Sequence, residues 1–324
     1  MQGDFFLTTW FLEGMKWVYS NIGSVVLTIL VCTVILKLVT LFTDITTRKS
    51  SAKMAAIQPE IDKIKERYKS NPQKANQEQQ KLMKERGVSM WGSCLPMLIT
   101  MPLFFCFIAA FRFWGYEMTL RLLTESGGKA MELFKSFKFL WINNIWQPDN
   151  GLMPVIQSAE TFLVTPDIGK LLFLHNNPDV LQKLIDMGMA FVTHTFDAAS
   201  GTFVTSIEFL KTPGAIMAYD AAMKPFVDLY SGYNNGWFLM SVCAAGMNFL
   251  SSWLMQKDQP PQANAQQGSG KMMLFMMPIM SFIFCLSNNA AFAIYWTISG
   301  AITVITNAIL SKIYPRMEPI KEGK

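Results

Sequence analysis

The chain has 324 residues; 51% are hydrophobic and 13% aromatic, only 16% are charged, and the mean hydropathy is +0.25 with a formal net charge of +5. A soluble chain of this length would carry more charge, so the composition predicts a membrane protein. Cys32, Cys94, Cys106, Cys243 and Cys285 all fall in apolar segments without a CxxC, and His175 and His194 lack an HExxH context. Neither a disulfide framework, a metal site nor a cofactor is therefore predicted.

Residues 1–23 lack a basic stretch followed by an apolar run and a small-residue cleavage site, so no cleavable signal is predicted there. Leu7, Phe11, Gly14, Met15 and Val18 recur at helical spacing, with Trp10 and Trp17 beside them and Asp4, Glu13 and Lys16 interspersed. That pattern predicts an amphipathic helix lying in the membrane interface. A first crossing follows at 24–47. It is long enough to span a bilayer, yet Lys37 lies well inside it. A cation there costs roughly 2.5–3.5 kcal/mol on insertion scales, so it faces a partner, water or a cavity. On a helix Thr33, Lys37, Thr40 and Asp44 share one face. The plain account is that Lys37 snorkels or pairs with Asp44. The sharper one is a wet, positively charged cavity opening on the side of Asp44.

Residues 48–91 read as a cytoplasmic helical hairpin. Arg48 to Arg86 holds eleven basic residues against five acids, an excess that belongs on the cytoplasmic side. Ile57, Ile61, Ile64 and Tyr68 form a seam, and Pro59 suits a first helical turn. Ser70-Asn71-Pro72 breaks the pattern before a second helix from about Gln73 to Arg86, with Gly87 as its stop. Such a hairpin is a solvated charged face or a docking and gating element. The second crossing, 92–114, contains Pro96 and Pro102, which predict irregular backbone around Thr100; Arg112 and Trp114 mark its far interface.

Residues 115–235 carry twelve acids and eight bases, which places them outside. Pro178 to Met189 reads as helix, while Phe191–Phe196 and Phe203–Phe209 alternate about a turn as a β-hairpin, giving a small α+β extracytoplasmic domain. Three further crossings follow at 236–255, 272–288 and 289–311, with a flexible cytoplasmic link at 256–271 and a short basic tail at 312–324. The predicted fold class is an all-α polytopic membrane protein with five spans, N-terminus outside and C-terminus inside. The last span repeats the polar stripe of the first: Trp296, Ser299, Thr303 and Thr306 share a face, with Asn307 beside it. Such hydroxyls glue helices together as often as they line cavities. If this stripe faces Lys37, the two helices line one cavity with Thr100 as a third wall.

The stretches IQPEIDKIKERYKSNPQKANQEQQKLMKERGV (57–88), GSCLPMLITMPLFF (92–105), FKFLWINNIWQPD (137–149) and MMPIMSFIFCLSNNAAFAIYW (276–296) occur in the order found in the YidC membrane protein insertases, which the chain resembles. The resemblance implies five core helices around a groove open to cytosol and lipid, one intramembrane cation and a mobile hairpin needed for activity. The family's usual arginine falls at Lys37, which keeps the charge and loses the bidentate fork. The resemblance places the groove's cation at Lys37, and the polar stripes read above add Thr33, Thr40, Thr100, Trp296, Ser299 and Thr303 as candidate groove residues. The implied activity is non-enzymatic insertion of nascent membrane proteins in the bacterial cell membrane. The partners are then nascent chains, the bilayer, the ribosome through the hairpin and the 256–271 link, and a Sec-type translocon, without nucleic-acid specificity. The stretch after Asp149 is far longer than the usual outer loop. A secondary transporter or anion channel with Lys37 as binding charge is the rival reading, although no inverted repeat is evident. An intramembrane enzyme lacks paired carboxylates, a Ser/His pair or a metal cluster in the spans.

Overall fold

The computed structural model describes residues 6–87, 91–125, 127–165, 168–197, 201–257 and 267–313. The chain folds into two compact units. One comprises residues 1–29, 106–241 and 284–294, the other 30–105, 242–283 and 295–324.

The first unit begins with α1 (Phe6–Ile22), which Gly23 ends at φ +72° before α2 (Val25–Arg67) starts. It also holds the second half of α4 (Trp91–Thr124), on which α1 packs: Phe11 stacks on Phe107 at 4.3 Å and Tyr19 meets Trp114 edge-on at 5.7 Å. These meeting points advance by similar steps on both helices, so α1 runs alongside α4. Lys16 reaches Glu117 of α4 at 3.1 Å, and Arg121 reaches the same carboxylate at 2.9 Å. Trp114 is fully buried in this packing.

Beyond α4 come α5 (Gly128–Lys135), α6 (Ala159–Phe162), α7 (Leu172–Asn176), α8 (Pro178–Asp186), the strands β1 (Ala190–Asp197) and β2 (Thr202–Phe209), and α9 (Pro213–Leu229). The strands pair antiparallel from Ala190↔Phe209 to Asp197↔Thr202, as their alternation predicts. Gly169 sits so close beneath Ile207 that a side chain there would run into the Ile207 carbonyl oxygen. Thr212 caps α9 by accepting from the Ala215 amide at 3.1 Å, with Pro213 at the first helical position. The core is aromatic: Phe162 packs on Tyr219 at 5.4 Å, and Phe134 on Phe226 at 4.9 Å. Burial, helped by the charge of Asp220, pushes the Tyr219 hydroxyl well above its ordinary range, and it donates to the Gln157 carbonyl at 2.8 Å.

In the second unit α2 continues unbroken from the apolar run into the first hairpin helix, so Pro59 lies inside it and not in a first turn. A proline costs one backbone hydrogen bond, which the burial of Ile57 and Ile61 on either side offsets. α3 (Pro72–Glu85) returns from Asn71, whose side chain accepts from the Lys74 amide at 3.1 Å, and Gly87 ends it at φ +62°. Ile57, Ile61 and Met83 form the seam between the two helices, and Arg86 grips both oxygens of Glu60 at 3.0 and 3.1 Å. α4 is helical through Pro96 and Pro102, without the irregular backbone expected there.

α10 (Leu239–Lys257), α11 (Gln267–Ser287) and α12 (Ala290–Ile313) follow; Asn288 and Asn289 separate the last two, while Ser287, expected in the same turn, closes α11. The link between α10 and α11 is shorter than its polar sequence suggested, because Gln256, Lys257 and residues 267–270 are helical; its remaining residues, 258–266, lie outside the described ones, as does the tail from 314. Among the described residues three helices are long and apolar enough to cross a bilayer, over Val25–Thr46, Pro102–Thr124 and Ala290–Ile313, and Leu239–Met255 and Leu274–Ser287 are shorter apolar helices.

Candidate functional site: an intramembrane lysine and its hydroxyl partner

Within the second unit, α12 meets three neighbours. Asn307 donates to the Ser251 hydroxyl of α10 at 3.0 Å, Trp296 stacks on Phe104 of α4 at 4.9 Å, and Lys37 of α2 donates to the Thr303 hydroxyl at 2.6 Å. Gly300 permits the approach of α10: a Cβ there would lie 2.9 Å from Met247 Cβ. The polar stripe of the last helix therefore faces Lys37.

The hydroxyl of Thr303 donates to the Ser299 carbonyl one turn back at 2.7 Å. Its proton is committed there, so the lone pair is turned toward the ammonium. The result is a chain running from Lys37 Nζ through Thr303 Oγ1 to the Ser299 oxygen. Among the described residues Thr303 is the one hydrogen-bond acceptor of Lys37, which satisfies one of three N–H donors and none of the charge. Lys37 is partly buried, between exposed Val34, Leu38 and Val39 on the outer arc of α2 and fully buried Thr33 one turn before it. The Thr40 hydroxyl donates back to the Lys37 carbonyl at 3.3 Å. Lys37, Ser299 and Thr303 are thus in one network, and Trp296 lies on the same helix two turns before Thr303. Thr33 and Thr40 flank Lys37 on its own helix. Thr100 falls on the backbone of α4, and its side chain lies outside the described ones.

Sequence reasoning passed over a second constellation, in the first unit. Asp149 is fully buried and accepts from the amides of Trp237 (2.6 Å), Phe238 (3.1 Å) and Met240 (2.7 Å) and from the Trp141 indole at 3.3 Å. Its charge therefore sits on the orphan N–H groups where α10 begins. Asn235, also fully buried, accepts from the Asn144 amide at 2.9 Å and donates to the Asn144 carbonyl at 2.8 Å. The stretch 137–149 is thus the socket that holds the start of α10. Asp149-Asn150-Gly151 and Asn234-Asn235-Gly236 are turn signals in sequence, and their kinship as signals was the clue available. Among the described residues no group of three His, Cys, Asp or Glu could hold a metal ion.

Apolar helices long enough to span a bilayer, one of them carrying a hydrogen-bonded cation midway, define a helical membrane protein. A family model described as the 60Kd inner membrane protein matches residues 17–204 and 178–317, and the chain belongs to that family, the YidC/Oxa1 family. The chain is similar to proteins named membrane protein insertase YidC. It is 38% identical to that of Clostridium perfringens over 139 residues, 43% of this chain and 51% of that protein. It is 38% identical to that of Chlorobium limicola over 141 residues, 44% of this chain and 21% of that protein, and 32% identical to that of Clostridium tetani over 121 residues, 37% and 47%. The chain thus spans about half the length of the clostridial relatives and less of the other.

Proposed function

We propose that this protein is a membrane protein insertase and chaperone of the bacterial cell membrane, with α2, the first part of α4, α10, α11 and α12 as five spans, the N-terminus outside and the C-terminus inside. Family membership and the names of its relatives support the activity. The single observation that carries the mechanism is the Lys37–Thr303 pair: a cation is held 2.6 Å from a neutral hydroxyl, with the Asp44 carboxylate of the same helix acting on it through its charge.

In this reading Lys37, Thr33, Thr40 and Thr100 with Trp296, Ser299 and Thr303 line a hydrophilic groove open to the cytosol and to lipid. A client's short acidic segment enters from the cytosol, drawn by Lys37 where the low dielectric strengthens attraction. The groove shortens the apolar barrier for that segment, while the client's apolar helix leaves sideways and is driven into lipid by burial. Lysine acts as a point charge here and imposes no planar geometry on the carboxylate, which suits varied clients. No covalent step or cofactor enters. The basic hairpin of α2 and α3, with the 256–271 link, is the surface for the ribosome, and a Sec-type translocon is a further partner.

The test is insertion of a single-span client with an acidic tail into vesicles carrying the purified protein. Lys37→Glu should lower insertion by about tenfold or more, the effect of a charge reversal in a partly dry site. A client with a neutral tail should change less than about twofold. Undiminished insertion of the acidic client would remove the charge from the mechanism.

A further inference from the structure

The strands β1 and β2, both in the first unit, form a ribbon whose two edges differ. The Leu210 amide donates to the Met189 carbonyl at 2.8 Å, and the pairing runs without a bulge from Ala190↔Phe209 to Asp197↔Thr202. Bonded and non-bonded pairs alternate along an antiparallel ladder. The odd-numbered residues of β1 therefore bond to β2, while Val192, His194 and Phe196 turn their amides and carbonyls away from it. On β2 the same alternation turns Phe203, Thr205 and Ile207 outward, and Gly169 lies against the Ile207 carbonyl oxygen. On β1 the outward groups of Val192, His194 and Phe196 have no backbone hydrogen bond among the described residues. One edge is thus covered near its base, and the other is open.

An open edge is a template for a further strand, and folded domains guard such edges with lysine, proline or a bulge. The strand Ala190–Asp197, AFVTHTFD, has none of these, and Asp197 at its end is its one charged residue. One face of the ribbon carries Val192, His194 and Phe196 beside Ile207, Thr205 and Phe203 of β2. Phe196 and Phe203 meet edge-on at 5.4 Å and are 60% and 73% exposed, whereas Ile207 nearer the base is buried. Between them His194 Nδ1 lies 3.0 Å from Thr205 Oγ1. Along this face the cross-strand rows therefore run apolar, polar, apolar.

We propose that β1 pairs antiparallel with β1 of a second copy of this chain, about a two-fold axis at His194, so that two ribbons join into one sheet. Self-complementarity selects a copy over an unrelated strand. With His194 opposite His194 of the partner subunit, Val192 falls opposite Phe196 of the partner subunit. Each exposed Phe196–Phe203 row then continues into Val192 and Ile207 of the partner subunit, and the two His194–Thr205 rows meet at the axis. Apolar side chains meet apolar ones and hydroxyls meet imidazoles, without like charges opposed. An axis at Thr193 would instead set apolar Val192 against polar His194. The pairing concerns the inserted region and not insertase activity, so it stands or falls apart from the preceding proposal.

The test uses the purified full chain in detergent, with association followed by sedimentation. The unaltered chain should show a concentration-dependent monomer–dimer equilibrium. His194→Pro removes an outward amide from β1 and leaves the β1–β2 ladder bonded. It should weaken the dimer about tenfold or more, since each substitution is felt twice across the axis. Thr205→Pro makes the same change on the outer edge of β2 and should alter dimerisation less than about twofold. In a cysteine-free background, His194→Cys should join to its own copy through a short thiol crosslinker. Val192→Cys should join to Phe196→Cys in a mixture of the two variants, and not to itself. A monomer at every concentration, or equal effects of the two prolines, overturns the proposal. Capture of an added stalled client chain at His194→Cys, in place of a second copy, overturns the copy as occupant of the edge.

Discussion

Asp149 and Gly236 form a matched pair. The carboxylate answers three backbone amides at the entry to α10, and a Cβ at residue 236, held at φ +83°, would collide with Asp149 Oδ1. Truncating the acid leaves those donors buried and unpaired, each at a cost of about 1–3 kcal/mol. Asp149→Ala should therefore lower the stability of the detergent-solubilised protein by about 2–5 kcal/mol. Asp149→Asn, which keeps one carbonyl oxygen, should lose less. Thermal unfolding followed by tryptophan fluorescence checks both; an alanine variant as stable as the parent would refute the socket. Neither residue stood out in sequence, because a lone Asp before Asn-Gly reads as a turn, and its partners lie 88–91 residues away. Lys37 and Thr303 were legible for the opposite reason. A charge in an apolar run, and hydroxyls at helical spacing, are local signals that need no knowledge of the fold.

Between elements, the packing of α1 on α4 turns on Glu117, which is 1% exposed on its side chain and shared by Lys16 and Arg121. Removing one partner from a buried carboxylate is costly, although Arg121 remains to offset part of it. Lys16→Met should cost about 1–3 kcal/mol and loosen α1, measured as faster proteolysis within residues 6–22. Lys16→Met combined with Glu117→Met should recover most of that loss, since an apolar pair of similar volume replaces the ions. A single variant as resistant as the parent would show that α1 is held by its aromatic packing alone. The helix itself was visible in sequence from its apolar spacing; its ion pair was not, because the acid sits about a hundred positions later on a helix expected to end before it. Pro59, Pro96 and Pro102 were misjudged by local rules. Each predicted a boundary or irregularity, yet α2 and α4 run helical through all three.

Across the whole molecule, the inserted region leaves and re-enters at one place. Gly151 pairs with Asn235, Asn235 pairs with Met153, and Pro154 bridges to Asn234. Beyond this neck the inserted region also packs on α4, through Phe162 on Tyr116 at 6.4 Å, Phe173 under Arg121 at 4.9 Å and Lys183 donating to the Thr124 carbonyl at 2.9 Å. Its hairpin and helices were readable from alternation and from Pro and Thr at helix starts, whereas the neck was not, because it rests on backbone pairing between distant turns. The helices of the second unit follow the apolar pattern closely, and their packing places Thr303 against Lys37 as the two stripes suggested. That pair underlies the proposed passage of client segments along α2 and α12. The most direct measurement crosslinks a stalled nascent chain, carrying a photoreactive group in its acidic polar segment, to variants of the protein. Ser299→Cys and Thr40→Cys should capture that segment when tested by cysteine-directed crosslinking in a cysteine-free background. Val39→Cys, on the opposite and 71% exposed face of α2, should capture little of it. Capture at Val39 equal to that at Ser299, or none at Ser299, would contradict a client path along Lys37 and Thr303.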